Sequence, residues 1–203
     1  MIRSGVFFRL VFICGVATMA VLSVSTATAQ ELRGRQEFTG TIVGVGGTLG
    51  GVTHPFTLTF DRFTPDAETS RDAQILRTRG QDALLDVIRK QKVGTFSLVG
   101  QLGRDVNFAH ARRMPDGRLR IVAAFERWLN IYEVRYGTRS QDYPFTYIEI
   151  YIDENGKGEG TLIPAARIYF DKKNQNQVDV ENFGIYPARL VGVEWRNRPR
   201  IAE

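Results

Sequence analysis

Two histidines, His54 and His110, make up the whole imidazole inventory of this chain. They stand 56 positions apart, and neither has an acidic partner at recognisable ligand spacing. Neither Gly-x-Ser-x-Gly nor His-Glu-x-x-His occurs. The only cysteine is Cys14, inside an apolar run. Asp61, Glu126 and Glu149 are of a type that does general acid–base work, but nothing in their surroundings marks them out. No metal and no cofactor is implied by these residues.

The richer chemistry lies in one expected hairpin, Asp105–Trp128, turning at Met114-Pro115-Asp116-Gly117. Pairing Met114 with Leu119 sets Phe108 opposite Phe125, His110 opposite Ala123 and Arg112 opposite Ile121. One apolar face then carries two ionisable groups, His110 and Arg112, with Phe108 and Phe125 beside them. In a barrel lumen these would tether the polar end of a small amphipathic molecule. At a rim, Arg112 would instead snorkel to water and His110 would bond a backbone carbonyl. A register shifted by one residue sets Arg112 and Met114 against Arg120 and Arg118. That places like charges together, so the first pairing is preferred.

A second strand, Phe145–Asp153, places Ile148, Ile150 and Ile152 on one face and Tyr147, Glu149 and Tyr151 on the other. Both faces carry bulk, so the strand is expected to be covered twice. Its tyrosines either line a pocket, offering flat apolar area and a hydroxyl, or form an outer face shielded by a helix.

Two glycine-rich stretches imitate ligand loops. Asp153-Glu154-Asn155-Gly156 opens like a calcium loop, but Lys157 and Pro164 occupy positions where an EF-hand needs an oxygen ligand. It reads as a hairpin turn. In Gly44-Val45-Gly46-Gly47-Thr48-Leu49, the third glycine of a dinucleotide fingerprint falls on Leu49. A strand rather than a helix follows, so phosphate has no helix N-terminus to meet.

The elements that must position these residues are mostly strands. Of the 203 residues, the first 29 read as an export signal: Arg3 and Arg9, an apolar run Leu10–Leu22, then Ala27-Thr28-Ala29. Residues 30–203 are then expected to form one β-rich domain in the periplasm or outside the cell. They hold no further apolar stretch of membrane-spanning length. Removing Arg3 and Arg9 from 27 basic residues leaves 25 against 22 acidic ones, a formal +3. An exported chain so nearly balanced gives no reason to expect nucleic acid. Its bases are mostly Arg, whose guanidinium forks suit anionic partners, and Arg196-Asn197-Arg198-Pro199-Arg200 forms a basic tail.

Period-two alternation predicts strands at Gln36–Val45, Thr53–Phe63, Lys92–Leu102, Asp105–Met114, Arg118–Trp128, Ile131–Tyr136, Phe145–Asp153, Glu159–Phe170, Gln177–Val180 and Arg189–Arg196. One helix is expected within residues 70–91. Ser70 and Asp72 supply its start, and Gly80 is a breaker. The fold class is therefore mainly β: an antiparallel barrel, or a sandwich, of about 8–10 strands with one inserted helix plugging or covering an end. No family is recognised from these motifs.

Three functions follow from this reading. The preferred one is a non-catalytic exported protein binding a small apolar or amphipathic ligand through His110, Arg112, Phe108, Phe125, Tyr147, Glu149 and Tyr151. The second is a cell-envelope module that sets its arginine-rich surface on an anionic partner. The third is a metal-independent isomerase or hydrolase, which requires His110, Tyr147, Tyr151 and Glu149 to converge.

Overall fold

The computed structural model describes residues 32–44, 51, 53–127, 139–170, 177–183 and 187–198. Outside them lie residues 1–31, on which the expected export signal and Cys14 fall, residues 45–50 of the glycine stretch, the expected strand Ile131–Tyr136, residues 171–176 and the last residues of the basic tail. The strands are β1 (Gln36–Val43), β2 (Thr53–Phe60), β3 (Gly94–Leu98), β4 (Arg104–Val106), β5 (Phe108–Arg113), β6 (Leu119–Glu126), β7 (Phe145–Ile152), β8 (Lys157–Phe170), β9 (Val178–Asn182) and β10 (Ala188–Trp195). The helix α1 spans Asp66–Ile88.

The ten strands among the described residues belong to one antiparallel sheet, ordered β4-β3-β2-β1-β10-β8-β7-β6-β5, with β9 paired to β8. Its two ends, β4 and β5, are consecutive in the chain and separated only by Asn107. The expected strand Asp105–Met114 is thus split, its first part pairing with β3 and its second with β6. Asn107 holds this corner. Its side chain donates to the Gln91 carbonyl at 2.8 Å and accepts from the Glu126 N–H at 3.1 Å, while its own N–H reaches the Ala124 carbonyl at 3.2 Å. Among the described residues no ladder joins β4 to β5, so the sheet is an open barrel or sandwich rather than a closed one.

Alternation fills the inside. Phe38, Phe56, Phe60, Ile121, Phe125, Ile148 and Ile150 are almost wholly buried in one cluster. Phe96 of β3 and Phe125 of β6 meet across the interior with ring centroids 5.8 Å apart. Each such side chain contributes about 1.5–3 kcal/mol by leaving water. Trp195 stacks on Phe38 at 5.6 Å and donates its indole N–H to Gln36 Oε1 at 2.8 Å, so the buried polar end is satisfied. The interior is a packed core.

The helix departs from expectation at both ends and in its place. It begins at Asp66, not at Ser70, because Pro65 in extended geometry sets the entry. Thr64 ties that entry to β5: its N–H donates to the Ala109 carbonyl at 2.6 Å and its Oγ1 accepts from the Ala109 N–H at 3.1 Å. Asp72 is consequently interior to the helix and faces inward. Gly80, at φ 83° and ψ 180°, bends α1 into two arms with a conformation open to glycine alone. Rather than plugging an end, α1 lies along the outer face of the sheet over β5 and β8. Gln81 pins the bend there, donating to the Asp142 carbonyl at 2.8 Å and accepting from the Ile168 N–H at 3.3 Å. A second apolar cluster forms beneath it, built from Leu76, Leu84, Leu85, Ile88, Ala124, Phe145, Tyr147, Ile163 and Ile168.

Candidate functional site

The β5–β6 hairpin takes the register that the sequence argument rejected. Phe108 faces Ala124, His110 faces Val122 and Arg112 faces Arg120. Turn geometry decides it. Gly117 sits at φ 84°, the Met114 N–H donates to the Arg118 carbonyl at 2.8 Å, and the Gly117 N–H to the Met114 carbonyl at 3.0 Å. That is a three-residue loop with glycine in the left-handed position, one residue tighter at its base than a Met114–Leu119 pairing. The like-charge contact is relieved from the next strand: Arg120 Nε donates to Glu149 Oε1 at 2.5 Å. The hairpin Asp153–Lys157 closes in the same way, with Asp153 Oδ1 accepting the Asn155 and Lys157 N–H groups at 2.8 and 2.9 Å. Those bonds hold the Asp153 carboxyl below its usual range, chiefly the one from Lys157. They also explain why a turn imitates a calcium loop.

The corrected register regroups the expected site. Across β5, β6 and β7 three rows run side by side on the outer face: Phe108–Ala124–Tyr147, His110–Val122–Glu149 and Arg112–Arg120–Tyr151. Six of the seven expected residues therefore share one face. Phe125 does not: it points the other way, 2% exposed within the inner core. The face they share is not a barrel lumen but the surface covered by α1.

A cavity of about 270 Å³ lies between that face and the helix. The first arm of α1 supplies Thr69, Asp72, Ala73 and Leu76, the second arm Leu84 and Ile88, and the sheet supplies Phe108, His110, Arg120, Val122, Ala124, Tyr147, Ile168, Val178 and Val180. Arg112 is exposed at the rim, and Glu149 and Tyr151 act on the cavity through Arg120. His54 is exposed near the start of β2, on the other side of the sheet order.

Polar groups around the cavity are mostly engaged. His110 Nε2 lies 2.9 Å from Asp66 Oδ1. Glu149 Oε1 also accepts from the Tyr151 hydroxyl at 3.0 Å. Burial is the largest single influence on the Arg120 guanidinium and lowers it, but the hydrogen bond to Glu149 and the charges of Glu149, Tyr147 and Tyr151 together outweigh it, so the net displacement is upward. Burial, then the Glu149 charge, pushes the Tyr147 hydroxyl up to about 12. It is a neutral hydroxyl at any physiological pH.

Asp72 is the exception. It is 3% exposed, and neither carboxylate oxygen has a hydrogen-bond partner; Thr69 Oγ1 beside it also lacks one. The nearest cation is Arg71, whose Nη2 stands 3.6 Å from Oδ1 and whose side chain is largely in solvent. Burial raises the Asp72 carboxyl above its ordinary value, with Arg71 opposing. Sequence reasoning missed it by assigning Asp72 to the helix start. The available signal was Thr69, Asp72 and Leu76 at helical spacing, a carboxylate inside an apolar stripe.

Among the described residues no group of three or more His, Cys, Asp or Glu side chains could hold a metal. No helix among them is long and apolar enough to cross a membrane. Comparison with family models, with curated proteins and with solved structures gives no match.

Proposed function

We propose that this is an exported, non-catalytic β protein that holds a small apolar or amphipathic molecule between α1 and the outer face of its sheet. The observation that carries the reading is the cavity itself. About 270 Å³ of space is walled mostly by Leu, Ile, Val, Phe and Ala side chains, with a few polar groups among them. That is the usual composition of a small-molecule site. An apolar cavity near 150 Å³ is enough for benzene, so this one accommodates a ring with a short chain. Export rests on the pattern of residues 1–29.

The other two readings draw less support. Many arginines that would face an anionic surface already meet carboxylates, as in Arg118–Asp116, Arg196–Glu194 and Arg120–Glu149. For acid–base chemistry, His110 and Tyr147 line the cavity, but Glu149 and Tyr151 are bound to each other and Arg120 outside its wall.

Native mass spectrometry of the protein isolated from its host tests the proposal. A discrete adduct is expected, lost on organic denaturation and diminished in Ala73→Phe, which fills the cavity from the helix side. An unliganded mass, with Ala73→Phe unchanged in its response to added apolar molecules, overturns it.

A further inference from the structure

We infer that the cavity selects an apolar primary amine, seated with its ammonium against Asp72 and Thr69. This rests on the ligand-binding reading above and names the ligand class.

The argument is an inventory of unmet hydrogen bonds. On the sheet wall His110 and Arg120 have carboxylate partners, Asp66 and Glu149 respectively. On the helix wall three buried oxygens lack any: Asp72 Oδ1, Asp72 Oδ2 and Thr69 Oγ1. They sit three residues apart on one face of α1 and line the same cavity. Buried polar atoms are otherwise paired almost throughout proteins, so such a cluster marks a place where a partner belongs.

The missing partner must donate. An ammonium carries three N–H donors and one positive charge, against three vacant acceptor atoms and one carboxyl group. A hydroxyl offers a single donor. A carboxylate offers none and meets the Asp72 charge. Arg71 does not fill the role. Its guanidinium approaches only Oδ1, at 3.6 Å, from a side chain 57% exposed, so it lies beyond hydrogen-bond distance and can yield to a ligand. Leu76, Leu84, Phe108 and Ala124 remain for the apolar body.

The test compares four probes of nearly equal shape on the protein as its host makes it. They are 2-phenylethylamine, 2-phenylethanol, phenylacetate and ethylbenzene, with dissociation constants read by NMR titration. The amine is expected to bind tighter than the alcohol by about tenfold or more, as a charge-assisted bond implies, and phenylacetate is expected to bind weakest. In Asp72→Asn that advantage disappears while ethylbenzene binding is kept. Should Asp72→Asn fail to fold, the ranking on the unaltered chain decides alone. Ethylbenzene binding with amine and alcohol equal would overturn the amine inference and leave the cavity reading standing. Failure of all four probes would overturn both.

Discussion

Asp72 gives the sharpest consequence for stability. A buried polar group without a hydrogen-bond partner costs about 1–3 kcal/mol. The largely exposed Arg71 returns only about 0.2–1 kcal/mol, as surface ion pairs do. Leucine at this position removes the orphaned oxygens and adds apolar contact with Leu76 and Ile88, which line the same space. Asp72→Leu is therefore expected to stabilise the ligand-free protein by about 1–2 kcal/mol at pH 7. For a chain of this size that raises the thermal midpoint by about 2–8 °C. The pH dependence separates two causes. Because burial raises the folded carboxyl above its ordinary value of 3.8, the unfolded chain ionises first as pH rises. Stability then falls from about pH 3.8 up to the folded value, and the ionisation cost is fully present above it. Asp72→Asn removes ionisation alone, so it should stabilise at pH 7 and do nothing at pH 3.5, whereas Asp72→Leu should stabilise at both. Urea unfolding at the two pH values measures this. A loss of 1 kcal/mol or more for Asp72→Leu at pH 7 would refute the reasoning, since it would mean that the carboxylate has a native partner.

Phe125→Ala should cost about 3–5 kcal/mol in denaturant unfolding, as for a fully buried aromatic. Phe108→Ala, at a half-buried cavity wall, should cost clearly less; equal losses would contradict the assignment of the two rings to opposite faces. Glu149→Gln leaves Arg112 and Arg120 facing each other without their neutralising carboxylate, and should destabilise by about 1 kcal/mol. Adding Arg112→Ala should recover part of that loss, and a double-mutant cycle with no coupling would dismiss the idea. Gly80→Ala forces a side chain into a glycine-only conformation and should cost about 1–3 kcal/mol. A neutral effect on the thermal midpoint would show that the bend in α1 is not held.

The strands were legible because period-two alternation survives wherever one face is buried, as in Ile148, Ile150 and Ile152. What misled was the weighing of two local signals at one hairpin. The turn Met114-Pro115-Asp116-Gly117 demands glycine in the left-handed position, which fixes the register geometrically. Repulsion between Arg112 and Arg120 is worth far less, and Glu149 on β7 relieves it from across the sheet. No local argument contains that third residue. One slipped residue then moved Phe125 onto the ligand face and placed His110 in a lumen. The helix error has the same form. Ser70 and Asp72 make a plausible start, but Pro65 and the contact of Thr64 with Ala109 begin the helix a turn earlier. That shift turns Asp72 from a capping residue into the one buried carboxylate of the site. The corner at Asn107, where the chain passes from one end strand of the open sheet to the other, depends on a single residue, and a period-two pattern runs through it unmarked.

The most direct test of the central claim is a crystal of this protein under xenon pressure, since xenon enters dry apolar cavities. The account predicts xenon between Leu76, Ala124 and Tyr147, beneath α1, and its loss in Ala73→Phe. Xenon inside the sheet beside Phe96 and Phe125, or none beneath the helix, would contradict it.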